Sequence, residues 1–286
     1  VRTTALILYG IYITMTLIQI TLLIAGGMPL FDALTTAFGT AGTGGFGIKN
    51  DSLGSYSSYI QVVTTIFMIL FGVNFNVYFL FLIKKPKQAL KFEELRYYLA
   101  IIGVTTGVIT YFIADNYENI LIALKHAAFQ VASIITTTGY ATTDFNLWPQ
   151  VPKTILVLLM FVGACAGSTG GGIKVSRFII LLKTVGKELQ QFIHPKSIRK
   201  IQMDGHVIEH ETVRSVNVFL ATYVLLFSFS VLLVGFDNQD LITNFTAVAA
   251  TFNNIGPGLE LVGPTQNFGI FSDGAKLVLI FDMLAG

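Results

Sequence analysis

The segment TTTGYATTDF, residues 136–145, follows a short apolar stretch at residues 119–135 and precedes a long one at residues 154–182. Two other glycine-rich segments have similar neighbours: TAGTGGFGI at residues 40–48 and FNNIGPGLE at residues 252–260. Each comes after a long apolar run and then a shorter one, so the order long, short, glycine-rich, apolar occurs three times. Repetition in a fixed order indicates internal structural repeats. We therefore predict three copies of one helical unit.

The long apolar runs indicate a membrane protein. They cover residues 5–25, 59–83, 97–114, 154–182 and 216–236, and a further run begins at Ala275. About 18–25 apolar residues are needed to cross a hydrocarbon core of roughly 30 Å. Charged residues make up only 12% of the 286 residues, against about 25% in soluble domains. This composition predicts an all-α, multi-pass membrane protein in a lipid bilayer, and it excludes a disordered chain, a nucleic-acid-binding surface and an ordinary cytosolic enzyme.

Basic residues are concentrated in two linkers between apolar runs. The first linker carries Lys84, Lys85, Lys87, Lys91 and Arg96, and the second is flanked by Lys174, Arg177, Lys183, Lys187, Lys196, Arg199, Lys200 and Arg214. The opposite, glycine-rich side carries Asp51, Asp144, Asp237 and Asp240. Because cytoplasmic loops are enriched in Lys and Arg, we predict that both linkers are cytoplasmic and that the glycine-rich segments face outward.

The short apolar segments, residues 30–42, 119–135 and 240–252, cannot span a bilayer. We expect them to be re-entrant helices around a pore, because non-helical backbone at membrane depth must be buried in protein or line a watery cavity. The C-terminus of a helix entering from outside carries partial negative charge and favours a cation. Glycine allows carbonyl oxygens to point at a common axis. Residues 40–44, TAGTG, have the T-x-G-x-G form of a potassium filter, in which carbonyl rings replace the water shell of the ion.

Three longer strings carry a family resemblance: QVASIITTTGYATTDFNLWP at 130–149, GACAGSTGGGIKVSR at 163–177 and NNIGPGLE at 253–260. Through them the chain resembles the Trk/Ktr/HKT superfamily of potassium transporters, and within it the bacterial TrkH branch. The resemblance implies four helix–pore-helix–filter–helix repeats around a pseudo-fourfold ion pore.

This sequence matches the last three of the four repeats. The second covers residues 1–91, the third covers residues 92–200 with an intramembrane gating loop, and the fourth covers residues 201–286 and is truncated. The first repeat and the end of the last helix are then missing, and we expect the chain to be a fragment.

The resemblance also implies a selectivity filter whose carbonyls bind K+. Its residues are Thr43, Gly44, Gly45, Thr137, Thr138, Gly139, Asn254, Ile255 and Gly256. Glycine at the positions of Gly45, Gly139 and Gly256 goes with preference for potassium in the family.

A small-residue stretch interrupts the apolar run at residues 154–182. Several glycines in one stretch disfavour a regular helix, since each costs about 1 kcal/mol relative to alanine. The family resemblance implies a gate there, formed by Gly163, Gly167, Ser168, Thr169, Gly170, Gly171, Gly172 and Lys174. The alternative is close helix packing through small side chains.

The implied function is potassium uptake across the bacterial cytoplasmic membrane, with no covalent chemistry and no cofactor in this chain. The implied partners are a second copy of the chain and a cytosolic nucleotide-binding regulatory subunit of the TrkA type. A sodium-coupled transporter of the Ktr type is the nearest alternative.

A remote alternative is an intramembrane metalloprotease, because His206, Glu209 and His210 match the H-x-x-E-H signature. That chemistry requires one helix face. Asp204-Gly205 just before these residues instead predicts a cytoplasmic β-hairpin.

Overall fold

The protein is almost wholly α-helical. The computed structural model describes residues 2–195 and 200–286, so Lys196 and Arg199 of the second basic linker lie outside the described residues. The helices are α1 (Arg2–Ala25), α2 (Leu30–Ala41), α3 (Ser58–Phe71), α4 (Phe75–Leu82), α5 (Pro86–Ala89), α6 (Glu93–Ile113), α7 (Ile120–Ile135), α8 (Gln150–Val162), α9 (Val175–Ile193), α10 (His210–Val234), α11 (Leu241–Phe252) and α12 (Asp273–Ala285). A hairpin of β1 (Gln202–Met203) and β2 (His206–Val207) precedes α10.

Three sets of consecutive helices pack in the same way. A long helix (α1, α6 or α10) contacts a short helix (α2, α7 or α11), and the short helix contacts the outgoing helix (α3, α8 or α12). Between sets, α3 packs on α7 and α8 packs on α11. Helices α3 and α8 therefore each lie against the short helix of the set that follows, and these contacts connect the three sets in chain order.

The short helices agree closely with the predicted segments. They contain 12, 16 and 12 residues, which gives lengths of about 18–24 Å at 1.5 Å per residue. Asn119 caps α7 by accepting a hydrogen bond from the N–H of Leu121, and Asp240 caps α11 by accepting one from the N–H of Thr243. Helices this short cannot serve as membrane spans.

Three of the helical stretches among the described residues are long and apolar enough to cross a membrane: Ala5–Ala25, Glu93–Asn116 and His210–Asp237. A fourth crossing results if α3 and α4 together form one span. These stretches confirm the predicted runs at residues 5–25, 97–114 and 216–236.

The apolar run at residues 59–83 is not one straight helix. The axes of α3 and α4 differ by 89° across a break after Phe71. Asn74 begins α4 because its side-chain oxygen accepts a hydrogen bond from the N–H of Asn76 at 2.9 Å. The run is apolar on both sides of the break, so hydropathy alone could not locate it.

Two tyrosine hydroxyls pair the carbonyl groups that the break exposes. Tyr78 donates to the carbonyl of Leu70 at 2.6 Å, and the buried Tyr98 donates to the carbonyl of Ile69 at 3.1 Å. Unpaired carbonyls in an apolar interior are costly, so these bonds stabilise the bend.

The predicted hairpin at Asp204-Gly205 is confirmed. Met203 pairs with His206, and both turn residues have positive φ, 54° at Asp204 and 81° at Gly205, as a tight two-residue hairpin requires. His206 therefore lies on β2 while His210 begins α10. The two histidines do not share one helix face, so the geometry does not support the metalloprotease.

A substitution at Gly72 tests the packing at the bend. A Cβ atom there would lie 2.2 Å from the hydroxyl oxygen of Tyr98 and 2.8 Å from Cγ2 of Thr136. We expect Gly72→Ala to lower the free energy of unfolding by about 1–3 kcal/mol through overpacking. Thermal unfolding in detergent, monitored by circular dichroism, measures this change.

Gly103→Ala is the matched control, because a Cβ atom at Gly103 in α6 meets nothing within 4 Å. Its unfolding temperature should stay unchanged or rise, since alanine favours a helix over glycine by about 1 kcal/mol. Equal unfolding temperatures for the two variants would contradict the packing described at the bend.

Candidate functional site

The same turn follows each of the three short helices. In each, the N–H of the second residue beyond the helix cap donates to a carbonyl in the last helical turn, which is the Schellman arrangement. The pairs are Gly44 to Gly39 at 2.7 Å, Thr138 to Ser133 at 2.9 Å and Ile255 to Ala250 at 2.8 Å. We call residues 43–45, 137–139 and 254–256 the glycine turns. Their shared geometry confirms that the three short helices end in equivalent ways.

The first residue of each glycine turn is held in an unusual backbone conformation. Thr43, Thr137 and Asn254 have φ angles of 51°, 56° and 54°. A β-branched residue is rare in this left-handed region, and conformations of this kind cost on the order of 1–3 kcal/mol and cluster at functional sites. The third residue also has positive φ: 63° at Gly45, 88° at Gly139 and 112° at Gly256. Two left-handed residues in each turn direct its carbonyl groups away from helical positions.

The glycine turns abut one another in chain order. A Cβ atom on Gly45 would lie 1.6 Å from the carbonyl oxygen of Thr138, and one on Gly139 would lie 1.8 Å from the carbonyl oxygen of Ile255. Only glycine allows this approach, because a side chain would overlap the backbone of the next turn. The predicted filter residues of three separate chain segments are therefore brought together.

A cavity of about 640 Å³ opens beside the glycine turns. Its lining includes Thr43, Gly44, Thr137, Asn254, Ile255 and Gly256, together with residues of α12. Residues of all three turns thus face one space, but Gly45, Thr138 and Gly139 are not among the residues that line it. Thr169 and Gly171, which belong to the interruption between α8 and α9, line it as well.

The interruption itself is a non-helical segment, which we call the 163–174 loop. Helix α8 ends at Val162 and α9 begins at Val175, so the predicted interruption of the run at residues 154–182 is confirmed. Gly163, Gly167 and Gly172 all have positive φ. The segment does not form a helix, which removes the alternative of close helix packing.

The 163–174 loop contacts all three glycine turns or the residues beside them. The N–H of Gly171 donates to Oγ1 of Thr137 at 2.6 Å, and Oγ1 of Thr43 donates to the carbonyl of Thr169 at 3.3 Å. A Cβ atom on Gly171 would lie 2.9 Å from the carbonyl oxygen of Asn253. The loop therefore closes one side of the cavity.

The remaining predicted loop residues stabilise its fold. The carbonyl of Gly167 accepts from the N–H of Phe75 at 3.1 Å, and both the N–H and the hydroxyl of Ser168 donate to the carbonyl of Cys165. The ammonium group of Lys174 donates to the carbonyl of Gly170. These contacts hold the loop in a defined shape against the bend between α3 and α4.

The geometry of the site agrees with comparisons to known proteins. A family model described as TrkH, cation transport protein, matches residues 2–286. The chain belongs to the TrkH family. The Trk system potassium uptake protein TrkH of Vibrio parahaemolyticus is 35% identical over 290 residues, which cover 99% of this chain and 59% of that protein. The protein of the same name from Escherichia coli K12 is 33% identical, with the same coverage of both chains.

The fold is shared with a solved structure. The crystal structure of the potassium transporter TrkH from Vibrio parahaemolyticus matches with a TM-score of 0.93 and 34% identity, covering 100% of this chain and 62% of that one. This chain spans about 59% of the length of the curated relatives named above. It is a multi-pass protein of the bacterial cytoplasmic membrane.

Sequence reasoning missed the side chains that connect the loop to the rest of the TrkH-family fold. Glu94, in the first turn of α6, is only 3% exposed and accepts a hydrogen bond from the N–H of Ala166 at 2.6 Å. In the sequence it resembles an ordinary acidic residue at a helix N-terminus. The sequence signal was the pair Glu93-Glu94 before an apolar run, and this pair does not indicate which of the two side chains is buried.

The hydrogen bond from the N–H of Gly171 to Oγ1 of Thr137 can be removed by a substitution that keeps the shape of the side chain. Thr137→Val leaves the N–H of Gly171 without its acceptor, and an unpaired buried donor costs about 1–3 kcal/mol. We expect a lower unfolding temperature in detergent for Thr137→Val. Thr137→Ser keeps the hydroxyl and should unfold nearer the temperature of the unchanged protein. The reverse order would show that the hydrogen bond contributes nothing.

Proposed function

We propose that this chain forms the ion path of a potassium uptake protein, in which the three glycine turns bind K+ through backbone carbonyls. The observation that carries the proposal is the convergence of three equivalent left-handed turns on one cavity. Carbonyl rings that replace the hydration shell are an established way to bind dehydrated potassium. The relatives of this chain are named as potassium uptake proteins, which supports the same ion.

The electrostatics of the site favour a cation. The C-termini of α2, α7 and α11 all end at the glycine turns, and each helix end carries about half a negative charge. The described residues that line the cavity include no Asp or Glu, and the basic residue among them, Lys276, forms a salt bridge with Asp273 at 3.8 Å. Backbone carbonyls and helix dipoles are thus the negative groups nearest the ion, and these weaker ligands suit a large monovalent cation that must also leave.

We propose that Gly45, Gly139 and Gly256 set the preference for potassium. The absent side chains of Gly45 and Gly139 leave room for the neighbouring carbonyls of Thr138 and Ile255, which supports this role. At Gly256 a Cβ atom would meet nothing within 4 Å, and the support there is its φ of 112°. In a pseudo-fourfold pore, a fourth segment of the same kind would complete the ring. The repeat boundaries at residues 91 and 200 remain part of this proposal.

We propose that the 163–174 loop is the gate. It contacts the glycine turns through hydrogen bonds at Thr137 and Thr43, and it lines the same cavity. A non-helical segment with two packing arrangements of similar free energy can be shifted by a partner that binds one of them better.

The partners follow from the family. We propose a homodimer whose gate is controlled by a cytosolic nucleotide-binding subunit of the TrkA type, with potassium moving alone or with a coupled cation. The exposed Lys84, Lys85 and Lys87 before and within α5 offer a positively charged surface on the side predicted to be cytoplasmic.

Gly139→Ser tests the filter in the complete protein that carries this chain. The new side chain must displace the carbonyl of Ile255, which lies 1.8 Å from the Cβ position. We expect the ratio of potassium to sodium flux in liposomes to fall by roughly tenfold, which corresponds to about 1.4 kcal/mol. Gly186→Ala in α9 is the control, since its Cβ atom would meet nothing within 4 Å. An unchanged ratio in correctly folded Gly139→Ser would remove Gly139 from the filter.

Deletion of residues 166–171 tests the gate. The ends of the loop already lie together, because the N–H of Val175 donates to the carbonyl of Ala164 at 3.0 Å, so a shorter connection can close. We expect potassium flux in proteoliposomes without a cytosolic partner to rise by about tenfold or more, as a gate equilibrium shifts toward its open state. Potassium preference should remain, since the glycine turns are intact. Equal or lower flux in a folded deletion variant would place the gate elsewhere.

A further inference from the structure

Glu94 is a buried carboxylate at the cytoplasmic start of α6. Its neighbour Glu93 is partly exposed and pairs with Lys183, whereas Glu94 is directed into the protein and is 3% exposed. An ionisable side chain buried in a membrane protein is costly and is retained mainly where it has a function. The hydrogen bonds that Glu94 accepts indicate what that function is.

One oxygen of Glu94 joins the two ends of the 163–174 loop. Oε1 accepts hydrogen bonds from the N–H of Ala166 at 2.6 Å and from the N–H of Ser176 at 3.1 Å. Ala166 lies near the beginning of the loop and Ser176 lies in the first turn of α9, just after it. A single carboxylate oxygen therefore adds to the bond between the N–H of Val175 and the carbonyl of Ala164 in holding the two loop ends together.

The other oxygen ties the same carboxylate to the bend in the preceding repeat. Oε2 accepts from the side-chain amide of Asn74 at 3.4 Å, and Asn74 also begins α4. The loop is bound to this bend independently, because the N–H of Cys165 donates to the carbonyl of Gly72 at 3.0 Å. Glu94 thus lies where α6, the bend and the loop meet.

The start of α6 is itself held in place from the cytoplasmic hairpin. The N–H of Glu93 donates to Oδ1 of Asp204 at 2.7 Å, and Lys183 bonds both Glu93 and the carbonyl of Gln202. These bonds hold the N-terminus of α6 in place, so the backbone that carries Glu94 has a fixed position beside the loop.

We propose that Glu94 is the positioning residue that keeps the 163–174 loop against the glycine turns, an inference that rests on the proposed gating function of that loop. Hydrogen bonds to a carboxylate are about twice as strong as those between neutral groups. Loss of the carboxylate removes a hydrogen bond from each end of the loop at once, and the contacts of Thr169 and Gly171 with the glycine turns weaken as a result.

Cys165 reports loop release when Glu94→Ala is compared with Glu94→Gln, because both variants remove the negative charge that acts on its thiol and only their hydrogen bonding differs. It is the single cysteine of the 286 residues, it lies in the loop next to Ala166, and it is fully buried. We would measure its rate of modification by a methanethiosulfonate reagent bearing a trimethylammonium group, on the complete protein in liposomes. If the complete protein has further cysteines outside these 286 residues, they are first replaced by serine so that only Cys165 can react.

Three variants should differ in the rate at which Cys165 is modified. Glu94→Ala should raise the modification rate of Cys165 by about tenfold or more, since one charge-assisted hydrogen bond is worth at least that factor in an opening equilibrium. Glu94→Gln keeps an oxygen that accepts from Ala166 and Ser176 and should give an intermediate rate. Glu211→Ala is the control, because Glu211 also lies in the first turn of a helix, α10, but is exposed.

The flux measurement separates this inference from the gating proposal. Faster modification of Cys165 together with higher partner-free potassium flux and unchanged potassium preference supports both. Faster modification with unchanged flux supports the role of Glu94 in positioning the loop and refutes the gate. Continued protection of Cys165 in folded Glu94→Ala and Glu94→Gln would overturn the positioning role, whatever the flux.

Discussion

The constraint on which this structure depends is that backbone polar groups cannot remain unpaired in an apolar interior. The chain leaves helical conformation at the bend after α3, at each glycine turn and in the 163–174 loop. At each place specific groups pair the released backbone: tyrosine hydroxyls at the bend, Schellman hydrogen bonds at the turns, and Glu94 and Thr137 in the loop. Non-helical backbone at membrane depth persists only under such conditions.

The repetition of one helical unit directs several helix ends and their carbonyl groups at the same cavity. One short helix can direct the partial charge of its C-terminus at one point, but three equivalent helix ends around one cavity add their effects. Thr43, Thr137 and Asn254 have φ angles within 5° of one another. The same left-handed φ at equivalent positions indicates that this geometry is built into the unit, since an isolated distortion would not recur.

The loop and the glycine turns form one connected structure. Hydrogen bonds run from Glu94 to the ends of the loop, and from the loop to Thr137 and Thr43 beside the cavity. The membership of the chain in the TrkH family gives this arrangement a context in cation transport. A change at the N-terminus of α6 can therefore reach the cavity through a few direct contacts, without a rearrangement of the helices that surround it.

The sequence by itself determined the helical class, the three repeated units and the positions of the glycine turns, because hydropathy and glycine placement follow directly from membrane thickness and backbone sterics. It also located the interruption after Val162 and the hairpin at Asp204-Gly205. Only the tertiary structure decided the 89° bend between α3 and α4 and the burial of Glu94. The bond from Tyr98 that supports the bend and the bonds to Glu94 join residues far apart in the chain, and no local pattern encodes such partners.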